Sequence, residues 1–291
     1  MTIVAGPSIK DTIQNNLMAF TRAERQLASY ILSNYPVAAL GSITALAKGA
    51  TVSTPTVVRM VQKLGYKGYP DFQTGLRMEV GEMLISPLAK HDRWAGRAPD
   101  THVLNRFADA VMDNLQATLA RVDHAQFDAA CDLLSDPQRR VMALGGRITH
   151  ALADYFVTHM KVVRHNVSLM SEQSGAWPAA LVDVRPGDVL VAFDIRRYEN
   201  SVLAIAEMAV EQGAEIILFT DQWLSPAAEL ARYVFSANVE APSSWDSTVS
   251  ILVLLETLLA SVETRTWAET EARMKRLEQL YDRARFFRKH R

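Results

Sequence analysis

From residue 141 onward the chain changes period. Five short apolar runs, at 141–145, 167–170, 188–194, 215–221 and 234–239, alternate with helical stretches at 148–163, 177–183, 199–212, 225–231 and 246–265. Uninterrupted apolar runs, each followed by one helix, fit strands buried on both faces of a parallel sheet. That alternation predicts a doubly wound α/β unit. Ligands of such sheets sit outside the carboxyl ends of the strands, where the strand order reverses. The loops after the first and third runs are therefore the candidates. The first, Gly145-Gly146-Arg147-Ile148-Thr149, opens a helix. Its glycines permit close approach, the helix N-terminus favours an anion, and Arg147 and Thr149 add donors. The second, Asp194-Ile195-Arg196-Arg197-Tyr198-Glu199, offers guanidinium forks suited to phosphate or carboxylate. Salt bridges of these arginines with Asp194, Glu199 or a partner subunit are the alternative.

Residues 21–84 read as helices with short breaks. Thr21 followed by Glu24 has capping-box spacing, and Ala28, Ile31 and Leu32 form an apolar stripe. Ser42 is placed to cap a short helix that turns Ile43, Leu46 and Ala47 inward. Ser53 is placed to cap a second over 54–64, with Pro55 in its first turn and Gly65 as its stop. This second helix is expected to bury Val57, Val61 and Leu64 and to leave Thr54, Thr56, Arg59, Gln62 and Lys63 outward. Two short helices with a tight turn, the second polar and basic, is the arrangement that enters a DNA major groove. Local charge agrees: residues 1–90 carry nine basic and five acidic side chains, and 42–70 carry four bases and no acid. Ser53, Thr54 and Thr56 suit phosphate contacts. Arg59 suits guanine acceptors, with about 1–3 kcal/mol of discrimination. Lys48, Lys63 and Lys67 would add salt-sensitive affinity. On spacing alone a solvated helical hairpin remains open, and the turn has Thr51 where such motifs often place glycine.

The stretch ITALAKGATVSTPTVVRMVQKLGYKGYPDF carries Val52-Ser53, Thr56-Val57, Arg59 and Leu64-Gly65-Tyr66-Lys67-Gly68-Tyr69. With these residues, positions 5–85 resemble the N-terminal domain of the RpiR family of bacterial transcriptional regulators. That family continues with a sugar isomerase (SIS) domain, as the alternating second half suggests independently. The resemblance implies a double-stranded DNA operator as partner, a small metabolite as effector and a homodimer or homotetramer. Typical SIS domains have a Ser-x-Ser-Gly-x-Thr loop that cradles a sugar phosphate. Here the corresponding positions are Asp194, Arg196, Arg197 and Glu199, which implies an anionic ligand other than an ordinary phosphosugar.

The expected organisation is an all-α helix-turn-helix domain over 1–85, a linker over 86–101 and an α/β doubly wound parallel-sheet SIS domain over 102–291. In the third part, the first helix is expected to turn Leu104, Phe107, Val111 and Leu115 inward. An aldose–ketose isomerase with an accessory helical domain is the rival, with Glu199 and His150 as its candidate bases. No Walker A loop, GxGxxG or HExxH is present, and Cys131 is the one cysteine, so no cofactor or metal is expected. The run 249–262 is interrupted by Glu256 and too short to span a bilayer, and the first residues lack a secretory pattern. A cytoplasmic protein is expected.

Overall fold

The computed structural model describes residues 8–84, 86–95, 102–171 and 173–287. Two compact units divide between Ala98 and Pro99. Among the described residues no helix is long and apolar enough to cross a membrane.

The first unit is helical: α1 (Ile9–Asn15), α2 (Arg22–Ser33), α3 (Val37–Leu40), α4 (Ile43–Gly49), α5 (Thr54–Lys63), α6 (Tyr69–Leu84) and α7 (Pro87–Ala95). The expected capping box forms, with Glu24 Oε2 accepting from the Thr21 amide at 2.7 Å and Thr21 Oγ1 accepting from the Glu24 amide at 3.4 Å. Ser42 caps α4 by accepting from the Ala45 amide at 3.1 Å. The core joins Leu27, Ala28 and Ile31 of α2, Leu46 of α4, Val57, Met60 and Val61 of α5, and Phe72 and Leu76 of α6. Met60 is fully buried, although the expected stripe of Val57, Val61 and Leu64 passes it by. In the α4–α5 turn Thr51 itself takes the left-handed conformation, at φ 54°. Gly49 instead makes room for α2, since a Cβ there would stand 2.3 Å from the Tyr30 hydroxyl.

The expected linker contains α7, so that segment is not irregular throughout. Its proline starts the helix instead of breaking it. Ser86 Oγ accepts from the Ala89 amide at 3.2 Å, and Pro87 sits in the first turn, where its missing donor does no harm. Residues 96–101 of the linker lie outside the described residues.

The second unit contains α8 (Val103–Leu119), α9 (His124–Ser135), β1 (Val141–Gly145), α10 (His150–Val163), β2 (Val167–Leu169), α11 (Trp177–Leu181), β3 (Val189–Asp194), α12 (Asn200–Glu211), β4 (Glu215–Asp221), β5 (Tyr233–Ala237), α13 (Val249–Arg265) and α14 (Trp267–Ala284). The helix expected near 225–231 is a single 3-10 turn, Pro226–Glu229. The sheet is wholly parallel in the order β2-β1-β3-β4-β5. Every residue of β1 and β3 is buried, as strands covered on both faces require. Alternate side chains feed two cores. Met142, Leu144, Leu190, Ala192 and Ile216 pack with Leu181 of α11 and Val202, Ile205 and Ala206 of α12. Opposite them, Phe193 stacks on Phe219 at 5.1 Å and meets Phe156 of α10 at 6.4 Å. Only part of the α8 expectation holds. Leu104 is exposed, and Phe107, Val111 and Leu115 are half-buried.

Candidate functional site

The exposed surface of α5 is the first site. Ser53, Arg59, Gln62, Lys63 and Lys67 are exposed and Thr54 is half-buried. Thr56 corrects the sequence reading: it is buried, on the flank of the Val57–Met60 face. Its hydroxyl lies 2.9 Å from Ser53 Oγ and accepts from Arg59 Nη2 at 3.2 Å. Ser53 occupies the N-cap position, but its hydroxyl makes no cap bond to the backbone. Thr56 thus orients Arg59 and offers DNA little surface. Lys63 is exposed as expected and also has an internal partner. Its ammonium turns back to α2, bonding Glu24 Oε2 at 2.6 Å and the Ala19 carbonyl at 3.4 Å. Burial raises the Glu24 carboxyl, but the Lys63 and Thr21 hydrogen bonds outweigh it and hold the group below its usual value. Lys63 therefore clamps α5 to α2. Lys48 and Lys67 are exposed and make no ion pair among the described residues. Gly65, at φ 94°, ends α5 in a conformation that glycine takes without strain.

The second site is the rim at the carboxyl ends of β1, β3 and β4. The strand order reverses between β1 and β3, so their loops adjoin the switch point. Gly145 and Gly146 are buried, and a Cβ on Gly145 would stand 2.5 Å from the His150 amide nitrogen. Thr149 is buried and donates to the Phe193 carbonyl at 2.7 Å while accepting from the Gly146 amide at 2.8 Å. A hydroxyl has one proton, so Thr149 ties the two loops together and has none left to donate to a ligand.

The loop after β3 is bolted down in the same way. Asp194 is buried and accepts from Ser225 Oγ at 2.5 Å and from the Glu199 amide at 3.4 Å. Asp221, fully buried at the end of β4, accepts from the Arg196 amide at 2.5 Å, Tyr198 Oη at 2.7 Å and the Trp223 amide at 3.0 Å. Burial pushes both carboxyls up, each to about 6, against the hydrogen bonds that favour ionisation. The Arg196 side chain, only 4% exposed, lies between Glu240 at 3.3 Å and Asp246 at 3.2 Å, over the Trp223 ring at 4.0 Å. Arg196 is thus a buried ion-pair residue rather than an open anion fork. Arg197 is exposed, makes no ion pair among the described residues and holds φ 65°. It keeps the left-handed backbone at the position where the resembling loops have glycine. Arg147 is likewise exposed, and its amide donates to Glu199 Oε1 at 2.6 Å.

The structure brings Gly145, Gly146, Arg147, Thr149, Asp194 and Glu199 together, while Arg196 points inward. The sequence reading missed Tyr198, Trp223, Glu240 and Asp246. Their signal was positional, since a parallel sheet gathers all the segments that follow its strands at one end. Among the described residues no cluster of His, Cys, Asp and Glu is arranged to hold a metal.

Residues 8–82 match the helix-turn-helix domain of the rpiR family, and residues 133–261 match the SIS domain. The HTH-type transcriptional regulator HexR of Pseudomonas aeruginosa is 24% identical over 282 residues, 94% of this chain and 95% of that one. The sugar isomerase domain of an RpiR transcription factor from Sphaerobacter thermophilus superposes with TM-score 0.57 at 21% identity, covering 60% of this chain and 97% of that one. The Vibrio vulnificus NanR protein complexed with ManNAc-6P superposes with TM-score 0.54 at 20% identity, covering 94% and 98%. At such identities the structural likeness shows the fold. With an rpiR-type helix-turn-helix domain followed by a SIS domain, the chain belongs to the RpiR family of transcriptional regulators.

Proposed function

We propose that the chain is a cytoplasmic DNA-binding regulator in which α5 reads an operator and the SIS unit binds a small anionic metabolite, a sugar phosphate or related acid. The observation that carries this reading is the acid-free segment 42–70, on which Arg59, Gln62, Lys48 and Lys67 are all exposed. Arg59 reads base edges, supported by the Thr56 hydroxyl that orients it. Ser53, Thr54, Gln62 and Lys67 contact the backbone around it, and Lys63 holds the helix at its angle. NanR, complexed with ManNAc-6P, supports a phosphorylated sugar derivative as the effector class. The effector sits on the rim formed by the Gly145–Gly146 loop and the 194–199 loop, with the exposed guanidinium groups of Arg147 and Arg197 as its anion contacts. We read the protein as a regulator and not an isomerase because a helix-turn-helix domain precedes its SIS domain and the similar HexR proteins are transcriptional regulators.

A homodimer or homotetramer would pair two α5 helices and call for a palindromic or repeated operator. An effector shifts the balance of DNA-competent and incompetent states only through unequal affinity for the two. The test is fluorescence anisotropy on fragments selected by the pure protein from genomic DNA, titrated with salt and with a panel of sugar phosphates and sugar acids. A preferred fragment whose affinity falls with salt and changes with one panel member is expected. No preference over random competitor under any condition would remove the reading.

A further inference from the structure

Glu199 is the N-cap residue of α12, yet its carboxylate makes no cap bond to that helix. It crosses to the β1 loop instead, where Oε1 accepts from the Arg147 amide at 2.6 Å. The same oxygen lies 2.8 Å from where a Cβ on Gly146 would stand. A side chain at position 146 would therefore push the carboxylate out, so Gly146 serves to admit it. Ser201 Oγ donates to the second oxygen at 3.4 Å. An amide donor, a hydroxyl donor and a glycine floor, in a loop that opens a helix, are what a ligand's own oxyanion would use. Here a side chain of the protein uses them.

We propose that Glu199 is the specificity-determining residue of the SIS unit, an internal anion that fills the β1 loop and bars a ligand's phosphate from it. The proposal rests on the reading of this rim as the effector site. Its surroundings agree. Asp194, Asp221, Glu240 and Asp246 gather at the same strand ends, and the guanidinium of Arg196 is shared by two of them. A phosphate entering beside Glu199 meets like charge on that side. The guanidinium groups of Arg147 and Arg197 remain exposed on the other. The effector class that fits is a molecule whose anionic end goes to these arginines and whose hydroxyl or amine donates to Glu199.

The test uses the full chain with inorganic phosphate as the probe and chloride at matched ionic strength as the control. Variants E199S and E199T remove the carboxylate and place favourable N-cap residues at the start of α12, so the helix is retained. In both variants phosphate is expected to raise Tm saturably. Amide exchange at Arg147 is expected to be about tenfold faster than in the wild type, and phosphate is expected to slow it. In the wild type phosphate is expected to leave Arg147 amide exchange unchanged and to raise Tm less than in either variant, because only the exposed arginines are open to it. Equal phosphate responses in all three proteins, or none in any, would overturn the proposal. The regulatory reading fails separately: wild-type operator affinity would then ignore every anion in the panel while the variants still gained phosphate binding.

Discussion

The α5 helix and the 194–199 loop each concentrate polar side chains in a few residues, and they use them in opposite ways. On α5, Gln62 and most of Arg59 are left to solvent, as is Lys67 beyond its end, while Thr56 is buried and Lys63 is paired with Glu24. In the rim loop nearly every polar group is already engaged: Asp194 by Ser225, Arg196 by Glu240 and Asp246, Tyr198 by Asp221, and Glu199 by Arg147. A duplex is a large partner with regular charge, and an open polar surface suits it. A small ligand needs a rigid rim, and rigidity comes from internal satisfaction of most of its groups. Residue type alone does not separate the two uses.

The largest expected effect breaks the comparison inside the rim loop. Arg196→Ala leaves Glu240 and Asp246 without their shared cation and uncovers the Trp223 ring. Removing one partner of a buried ion pair costs several kcal/mol, and residual exposure of the two carboxylates places this one near about 3 kcal/mol. Arg197→Ala touches an exposed side chain and is expected to stay within about 0.5 kcal/mol. Urea titration followed by tryptophan fluorescence separates the two. Equal losses would mean that Arg196 is not a strut of the rim.

On the other side of the comparison, Arg59→Ala is expected to weaken specific operator binding by about 1–3 kcal/mol while leaving non-specific affinity and Tm unchanged. Anisotropy against specific and random duplexes reads both quantities. Thr56→Val, which removes the hydroxyl orienting Arg59, is expected to give a smaller loss in the same direction. An unchanged specificity ratio in Arg59→Ala would take α5 out of the groove.

Acidity provides a third contrast. Asp194 and Asp221 have folded values of about 6 against an ordinary 3.8. The folded rim therefore binds these protons more tightly than the unfolded chain does. Their stabilising contribution is complete below pH 3.8 and is lost as pH rises through about 6. Glu24 runs the other way: held below its ordinary 4.5, it contributes stability above that pH, which is lost on acidification. Asp221→Asn is expected to flatten the part of the stability–pH curve between about pH 4 and 6 that the rim supplies. Denaturation midpoints across that range check it, and a curve identical to the wild type would show that Asp221 does not titrate there.

Much of the architecture was legible in the sequence. The five strands stood out because strands buried on both faces are written as unbroken apolar runs, and the capping box at Thr21 was visible from spacing alone. Side-chain direction in irregular segments was not legible. Arg196 turns inward because of Trp223, Glu240 and Asp246, which lie 27 to 50 residues further along the chain, and no period links them. Lys63 points to α2 because buried Glu24 needs a cation, and that need appears only once the two helices pack. Pro87 looks like a break in the sequence because its place in a first turn depends on Ser86 capping the helix. Thr56 and Met60 escape the sequence reading together, since the buried stripe of α5 is wider than a strict i, i+4, i+7 spacing.

Lys63 and Lys67 give the smallest and finest test, because both are exposed lysines near the end of the same helix and only one has an internal partner. A lysine that neutralises a phosphate releases a counterion, and its removal lowers the slope of log affinity against log salt by about 0.9. Lys67→Ala is expected to show that decrease, with a uniform loss of affinity across sequences and no change in Tm. Lys63→Met is expected to keep the slope and lower Tm, because the ammonium it removes is the partner of a buried carboxylate and not of DNA. Salt titrations on one operator fragment, paired with thermal melts, distinguish the two lysines. If both variants lose the same slope and melt alike, the clamp between α5 and α2 does not hold in solution, and Lys63 returns to the set of phosphate contacts.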